Sequence, residues 1–190
     1  DDEPGRRVEE LARQQGIDVR LARDPDLPTT IKLRVIGRQQ QLLRIDFETR
    51  PSQEVLSAKL KDFGERVRDA DAVVLSDYGK GGLAHIAEMI GKARAAGRPV
   101  LVDPKGDDWA KYRGATLVTP NRSEFRDMAG RWRDEADLAA KAERVRRDLE
   151  LEALLVTRSE EGMSLYTAAG ALHIPARARE VYDVSGAGDT

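Results

Sequence analysis

The sequence predicts an α/β fold with a mainly parallel sheet, because short apolar runs alternate with longer amphipathic runs along the chain. The apolar runs from residue 51 onward are nearly continuous, which is typical of strands buried on both faces of a sheet. The length of 190 residues suits one domain or two small ones. We expect residues 1–28 to begin the α/β core, residues 29–50 to form a hairpin, and residues 51–190 to complete the core.

The first fifty residues are predicted to contain a helix and a hairpin. Apolar residues at helical spacing predict a helix over 5–15 that Gly16 ends, and residues 17–21 are predicted to form a short strand. Between residues 29 and 48, apolar and polar residues alternate on both sides of a turn at 37–39, which predicts a hairpin with one apolar face. An isolated hairpin is unstable, so we expect this one to cover another surface or to pair with a second copy.

From Pro51 onward, helices and strands are predicted to alternate regularly. Parallel strands direct their carboxyl ends to one edge of a sheet, so we expect the residues that follow them to form the ligand site. The predicted helices cover about 53–68, 83–96, 121–128 and 135–150, and the predicted strands cover 72–75, 100–102, 116–118 and 153–156, with a closing antiparallel pair at 162–166 and 171–174.

Composition excludes several functional classes. The chain has 32 Lys+Arg against 34 Asp+Glu, so its net charge of -2 offers no electrostatic basis for binding nucleic acid or an anionic membrane. The absence of cysteine excludes disulfides, thiolate catalysis and cysteine-ligated metals, and two distant histidines cannot form a histidine-rich metal site. Because no apolar run approaches the ~20 residues of a membrane span and no signal-peptide pattern is visible, we expect a cytoplasmic protein.

Polar residues follow four of the predicted strands, at 76–82, 103–106, 119–124 and 157–162. The first three segments combine acids with a base or an amide, which suits a site for an anion and a metal ion. Local structure also explains parts of them: residues 121–124 are nearly a capping box, and residues 103–106 are typical of a turn. Glycines between 79 and 82 also permit a tight strand-to-helix connection. Trp109 and Tyr112 are expected to pack rather than to bind.

The last eight residues, Asp-Val-Ser-Gly-Ala-Gly-Asp-Thr at 183–190, indicate an anion site. A loop of small residues can turn successive N–H groups toward an anion, and a helix that followed would add positive partial charge. Next to a phosphate, the carboxylate of Asp189 is useful as a general base or a metal ligand. A plain glycine-rich turn does not account for this acid, so we favour the functional interpretation.

These motifs resemble those of the ribokinase-like (PfkB) family of carbohydrate kinases. Residues 183–189 match the family's carboxy-terminal motif, and Asn121-x-x-Glu124 matches its nucleotide and magnesium motif. Residues 43–48, 75–81 and 102–106 are more similar to the members that phosphorylate a heptose 7-phosphate. The resemblance implies a three-layer α/β sandwich with a mainly parallel sheet and a small β-hairpin lid. It also implies that the first strand and the final helices lie outside this sequence, which we expect to be an excerpt of a longer enzyme.

The resemblance assigns roles to individual positions. Asp189 would be the catalytic base, and Gly186, Ala187 and Gly188 would form the anion hole. Glu124 would bind Mg²⁺ through water. ATP and Mg²⁺ would be bound by Asp103, Lys105, Asn121, Arg122, Ser123, Glu124, Thr157, Ser159 and Gly162. The substrate would be bound by Arg44, Asp77 and Lys80.

The implied cofactors are ATP and Mg²⁺, and the implied partner is a small sugar phosphate, phosphorylated at its anomeric hydroxyl to supply lipopolysaccharide core precursors. The lid would form a homodimer contact. The alternatives are a PfkB-family kinase of another sugar or nucleoside, or a non-catalytic module that binds a nucleotide or a sugar. A Rossmann dehydrogenase is disfavoured, because no G-x-G-x-x-G follows an early strand.

Overall fold

The computed structural model describes residues 1–38 and 40–177, which form two compact units. The first unit is Asp1–Lys59, and the second begins at Leu60, within the helix α2 (Gln53–Arg66). Elements occur in nearly the predicted order and with nearly the predicted bounds. None of the helices in these described ranges is long and apolar enough to cross a bilayer.

The first unit contains one helix and one hairpin before α2. Helix α1 (Glu3–Gln14) is capped by Asp2, whose carboxylate accepts a hydrogen bond of 2.9 Å from the Gly5 N–H. The predicted strand over 17–21 is wrong, because this segment has no regular structure. A strand needs a neighbour for its backbone groups, and no strand pairs with these residues within the described part of the chain.

The hairpin is formed as predicted by β1 (Ile31–Gly37) and β2 (Gln40–Phe47), which are antiparallel. In this register the apolar residues of one strand face apolar residues of the other. They are paired as Ile31 with Phe47, Leu33 with Ile45, and Val35 with Leu43. All of them except Ile45 are exposed, so within its own unit the hairpin presents an uncovered apolar face.

The second unit is built on a six-stranded sheet in which the strands occur in sequence order. The first four strands are parallel and the last two are antiparallel, as expected. The strands are β3 (Val73–Ser76), β4 (Val100–Asp103), β5 (Leu117–Val118), β6 (Ala153–Thr157), β7 (Met163–Thr167) and β8 (Gly170–Ile174). The helices are α3 (Ile86–Ala95), α4 (Arg122–Ala129) and α5 (Glu135–Asp148), with 3₁₀ turns at Val67–Asp69, Ala110–Tyr112 and Ser159–Glu161.

One face of this sheet carries the hydrophobic core. Alternate residues of the strands are buried, and α3, α4 and α5 all place side chains in the same cluster. Phe125 of α4 is fully buried there, with its ring centroid 5.8 Å from that of Trp132. The sequence predicts burial on both faces, whereas in the described residues the second face is partly exposed, with Val74 at 71%. The physical reason is that these three helices pack on one face only.

Candidate active site

The carboxyl ends of β3 to β6 lie side by side, because neighbouring strands are parallel and paired. The Asp77 N–H donates to the Asp103 carbonyl at 2.9 Å, and the Thr157 N–H donates to the Pro120 carbonyl at 2.9 Å. Asp103 also accepts from the Ser76 hydroxyl at 3.2 Å. The fold therefore brings the four predicted strand-end segments to one edge.

Asp77 is buried at the end of β3 and anchors the loop that follows. One carboxylate oxygen accepts from the Gly79 N–H at 2.8 Å, and the other accepts from Lys111 Nζ and Tyr112 Oη, both at 2.8 Å. Burial by itself raises the pKa of Asp77, but the hydrogen bonds from Lys111, Gly79 and Tyr112 outweigh it and hold the pKa below its ordinary value. Asp77 is therefore an anion that is already neutralised and hydrogen-bonded within the protein.

Tyr112 links this anchor to the next strand end. Its hydroxyl accepts from the Lys105 N–H at 2.9 Å, and the ring is fully buried. Burial, with the hydrogen bond to Asp77, raises the pKa of Tyr112 to about 12. The phenol therefore stays neutral and keeps its proton for the bond to Asp77.

Helix α4 begins with the predicted capping box, which the structure confirms. Asn121 Oδ1 accepts from the N–H groups of Ser123 and Glu124, both at 2.9 Å, and Glu124 Oε2 accepts from the Asn121 N–H at 3.1 Å. Glu124 Oε1 accepts from Lys105 Nζ at 2.9 Å, and this hydrogen bond raises the pKa of the lysine. One carboxylate thus both caps the helix and holds the Lys105 ammonium group.

Glu124 also suits a magnesium ion bound mainly by other ligands. Its carboxylate oxygens are the hard donors that Mg²⁺ prefers, and its side chain is 13% exposed. Across residues 1–38 and 40–177, no group of three or more potential side-chain ligands could enclose a metal. An ion at Glu124 would therefore take most of its ligands from phosphate and water, as Mg²⁺ commonly does.

The loop after β6 has a geometry that requires glycine at one position. Gly162 has a φ of 91°, and its carbonyl accepts from the Arg158 N–H at 2.7 Å. A Cβ at Gly162 would lie 2.1 Å from the Ile174 carbonyl oxygen. Ser159 also has a positive φ of 54°. The loop over 157–162 is therefore a tight turn held against the chain that follows β8.

Arg158, a buried residue of this loop, holds it in place through hydrogen bonds and ion pairs. Its guanidinium is buried and donates to both carboxylate oxygens of Glu135 at 2.6 and 2.8 Å, and to Ser164 Oγ at 3.2 Å. It also pairs with Glu161, which in turn pairs with Arg122 at the start of α4. Hydrogen bonds from Arg158, and secondarily from Arg122, hold the pKa of Glu161 below its ordinary value. The loop and α4 are thus joined by ion pairs.

The remaining predicted residues lie in other segments of the chain. Lys80 is half-buried in the loop after β3. Arg44 lies on β2 in the first unit, where its Nε is 3.1 Å from Asp46 and where it is paired in register with Arg34. Asp189 and the predicted anion hole, Gly186, Ala187 and Gly188, lie outside the described residues.

The sequence patterns do not predict a role in the site for Lys111, Tyr112 or Glu135. Lys111 and Tyr112 belong to the connection between β4 and β5, away from any strand end, and their partner Asp77 is 34 and 35 residues distant. Glu135 is an exposed residue at the start of the charged helix α5, so no local pattern distinguishes it from the other charged residues there. Arg158 lies within a predicted segment, but it is one of several charged residues there.

Comparison with known proteins extends along the whole chain. The sequence matches the pfkB family carbohydrate kinases over residues 1–190. It is 54% identical over 189 residues to the D-beta-D-heptose 7-phosphate kinase of Bordetella bronchiseptica, covering 100% of this chain and 60% of that protein. It is 53% identical over 186 residues to the bifunctional protein HldE of Chromohalobacter salexigens, covering 94% of this chain and 38% of that protein.

A solved structure confirms the predicted fold. The structure of ribokinase from Giardia lamblia matches with a TM-score of 0.79 at 18% identity, over 99% of this chain and 60% of that one. The chain thus spans less than two thirds of the length of each of these proteins. Its ribokinase-like fold and its family match along the full sequence show that this chain belongs to the pfkB family of carbohydrate kinases.

Proposed function

We propose that the protein containing this chain is a kinase that transfers the γ-phosphoryl group of ATP to the anomeric hydroxyl of a heptose 7-phosphate. The observation that carries this proposal is the 54% identity, over the whole chain, to a protein named as a heptose 7-phosphate kinase. The product would be a heptose 1,7-bisphosphate, a precursor for the lipopolysaccharide core. A reaction that consumes ATP favours a cytoplasmic location.

The nucleotide would bind at the edge formed by β4, α4 and the 157–162 loop. Lys105 presents an ammonium group there with its side chain 51% exposed, and a lysine binds phosphate as a point charge. Glu124, beside it, would hold Mg²⁺ through water, and the bound ion would neutralise charge on the phosphate oxygens. The anchored loop over 157–162 would lie along the nucleotide, with Thr157, Ser159 and Gly162 nearest to it. Positioning and electrostatic stabilisation dominate catalysis of phosphoryl transfer.

We assign the general base to Asp189 on the resemblance of its motif. Its carboxylate would take the proton of the anomeric hydroxyl as that oxygen bonds to the γ-phosphorus. The bond from the γ-phosphorus to the bridging oxygen would break, and ADP would leave. The N–H groups of Gly186, Ala187 and Gly188 would stabilise charge on the transferred group. A positioned general base contributes about 10²–10⁴-fold.

The test is ADP release by the complete enzyme with heptose 7-phosphate, compared with ribose, fructose 6-phosphate and adenosine. We expect turnover with heptose 7-phosphate, and we expect Asp189→Asn to bind ATP yet lose ~10²-fold or more in kcat. Asp127→Asn, which alters an exposed carboxylate on α4, is the control and should keep wild-type activity. Turnover of another acceptor alone would identify a different sugar kinase, and ligand binding without ADP release would indicate a binding module. Near-normal turnover by Asp189→Asn would exclude that residue as the base.

We also propose that the hairpin mediates a homodimer. Its apolar face includes Leu33, which is 49% exposed, and Phe47, which is 57% exposed. Burying such a face in a second copy would be favourable. Leu33→Glu should convert the dimer to a monomer in sedimentation experiments, whereas Lys32→Glu on the opposite face should not. A Leu33→Glu protein that remained dimeric would place the contact elsewhere.

A further inference from the structure

We propose that Tyr112 is a positioning residue for the kinase reaction: its hydroxyl fixes the backbone of Lys105 so that the ammonium group is placed for the nucleotide phosphates. This inference rests on the proposed function, because it deepens the nucleotide site. It gives a role to a tyrosine that the sequence predicts to be packing alone. It also explains why Asp77 is buried instead of being open to a ligand.

The hydroxyl of Tyr112 lies between two strand-end loops. A tyrosine hydroxyl can donate one hydrogen bond and accept others. Tyr112 Oη donates to Asp77 Oδ2 at 2.8 Å and accepts from the Lys105 N–H at 2.9 Å. The tyrosine has no exposed surface, so water cannot replace either partner. The loops after β3 and β4 are therefore joined through one buried oxygen atom.

The backbone around Lys105 is held by two hydrogen bonds from buried aromatic side chains. Tyr112 holds the Lys105 N–H, and Trp109 Nε1 donates to the Gly106 carbonyl at 2.8 Å. Both aromatic side chains are buried, Trp109 at 2% exposure. The segment from Trp109 to Tyr112 thus fixes the loop that carries Lys105 through two hydrogen bonds.

Lys105 needs a fixed backbone if its ammonium group is to stay in one place. Its side chain has four rotatable methylene bonds, and ordering a free lysine costs conformational entropy. With the backbone fixed, Nζ reaches Glu124 Oε1 at 2.9 Å while the side chain stays 51% exposed. The ammonium group is thus held at the proposed nucleotide site before a nucleotide binds. Such preorganisation improves binding, because less conformational entropy is lost when the ligand binds.

A purely packing role would need only the ring. Phenylalanine fills almost the same volume without a hydroxyl, and a buried hydroxyl is costly unless it is hydrogen-bonded. The hydroxyl of Tyr112 is hydrogen-bonded to Asp77 and to the Lys105 N–H. The link between the two loops therefore explains why this residue is a tyrosine and not a phenylalanine. Substitution by phenylalanine is consequently a clean test of the proposal.

We expect Tyr112→Phe in the complete enzyme to raise KM for ATP about tenfold, with a smaller change in kcat, because one buried hydrogen-bond network is lost. Tyr166→Phe is the matched control, since Tyr166 is also buried, at 5% exposure, but lies on β7 within the core cluster. It should leave KM unchanged. Equal effects of the two substitutions on KM would overturn the proposal.

A double-mutant cycle tests whether Tyr112 acts through Lys105. Lys105→Met alone should raise KM for ATP, and adding Tyr112→Phe to it should raise KM by less than about twofold more. Additive effects would show that Tyr112 acts independently of Lys105 and would overturn the proposal. If Tyr112→Phe unfolds, Trp109→Phe removes the second tether and should also raise KM. An unchanged KM in a folded Trp109→Phe enzyme would count against the proposal.

These outcomes are separable from failure of the proposed function. Turnover of heptose 7-phosphate by the wild-type enzyme tests the function by itself. If the wild type binds ATP without turnover, the function fails, and the same variants can be compared by calorimetric Kd for ATP. A tenfold weaker Kd in Tyr112→Phe, absent in Tyr166→Phe, would still support the positioning role.

Discussion

Substitution of Gly162 by alanine should destabilise the loop after β6 far more than the same change destabilises the chain at Gly97, another glycine with a positive φ. Gly162 has a φ of 91°, and its Cβ would lie 2.1 Å from the Ile174 oxygen, 2.6 Å from the Ala176 nitrogen and 2.7 Å from the Pro175 carbonyl carbon. Real Cβ atoms essentially never lie within 3.0 Å of such atoms. All three are backbone atoms, so no side-chain rotation relieves the overlap.

The magnitude follows from two costs. A left-handed conformation costs a non-glycine residue about 1–2 kcal/mol, and forcing atoms into a packed space costs about 1–3 kcal/mol more. We expect Gly162→Ala to lower the free energy of unfolding by about 2–5 kcal/mol. Gly97 has a φ of 69° with nothing within 4 Å of its Cβ position, so Gly97→Ala should lose only about 1–2 kcal/mol.

The assay is urea unfolding of both variants of the complete protein, together with calorimetric binding of ATP. Since the 157–162 loop is proposed to lie along the nucleotide, Gly162→Ala should also weaken ATP binding, whereas Gly97→Ala at the end of α3 should not. Equal losses in the free energy of unfolding of the two variants would show that the predicted overlap at Gly162 carries no cost, and would refute this reasoning. Unaltered ATP affinity in a folded Gly162→Ala protein would remove the loop from the nucleotide site.

Two further predictions concern buried polar groups. Arg158→Met should lower the free energy of unfolding by about 1–3 kcal/mol, because hydrogen bonds to Glu135 and Ser164 are lost. The control is Arg144→Met, which removes an exposed ion pair with Asp148 at 3.6 Å and should change the free energy of unfolding by less than about 1 kcal/mol. Urea unfolding measures both variants, and similar losses would contradict a stabilising role for the buried Arg158. Burial, followed by the hydrogen bond to Asp77, raises the pKa of Tyr112 to about 12. The neutral Tyr112 phenol therefore stabilises the folded protein fully below the unfolded pKa of about 10, and this stabilisation is lost as the pH rises through the folded pKa. Tyrosinate absorbance should show a phase near pH 12 that Tyr112→Phe removes, and its persistence in that variant would contradict the assignment.

Local sequence determined most of the elements of this protein. The cap at Asn121 and the glycine after α3 act within a few residues of where they stand, so the predicted helix bounds are close to those observed. The predicted strand over 17–21 fails for the opposite reason. Its apolar residues satisfy the local preference, but a strand also requires a partner that only the fold can supply.

The sequence predicts the part of the candidate site that lies at the strand ends, but not the part that lies in the connections between strands. Parallel order alone brings Lys105 and Glu124 to one edge, because each follows a strand of the sheet. The sequence by itself therefore determined the family motifs and the edge at which the chemistry should lie. Only the tertiary structure decided that Asp77 is buried against Tyr112 and that Arg158 reaches Glu135, because such contacts join residues 35 and 23 positions apart, and no local periodicity encodes a distance of that kind.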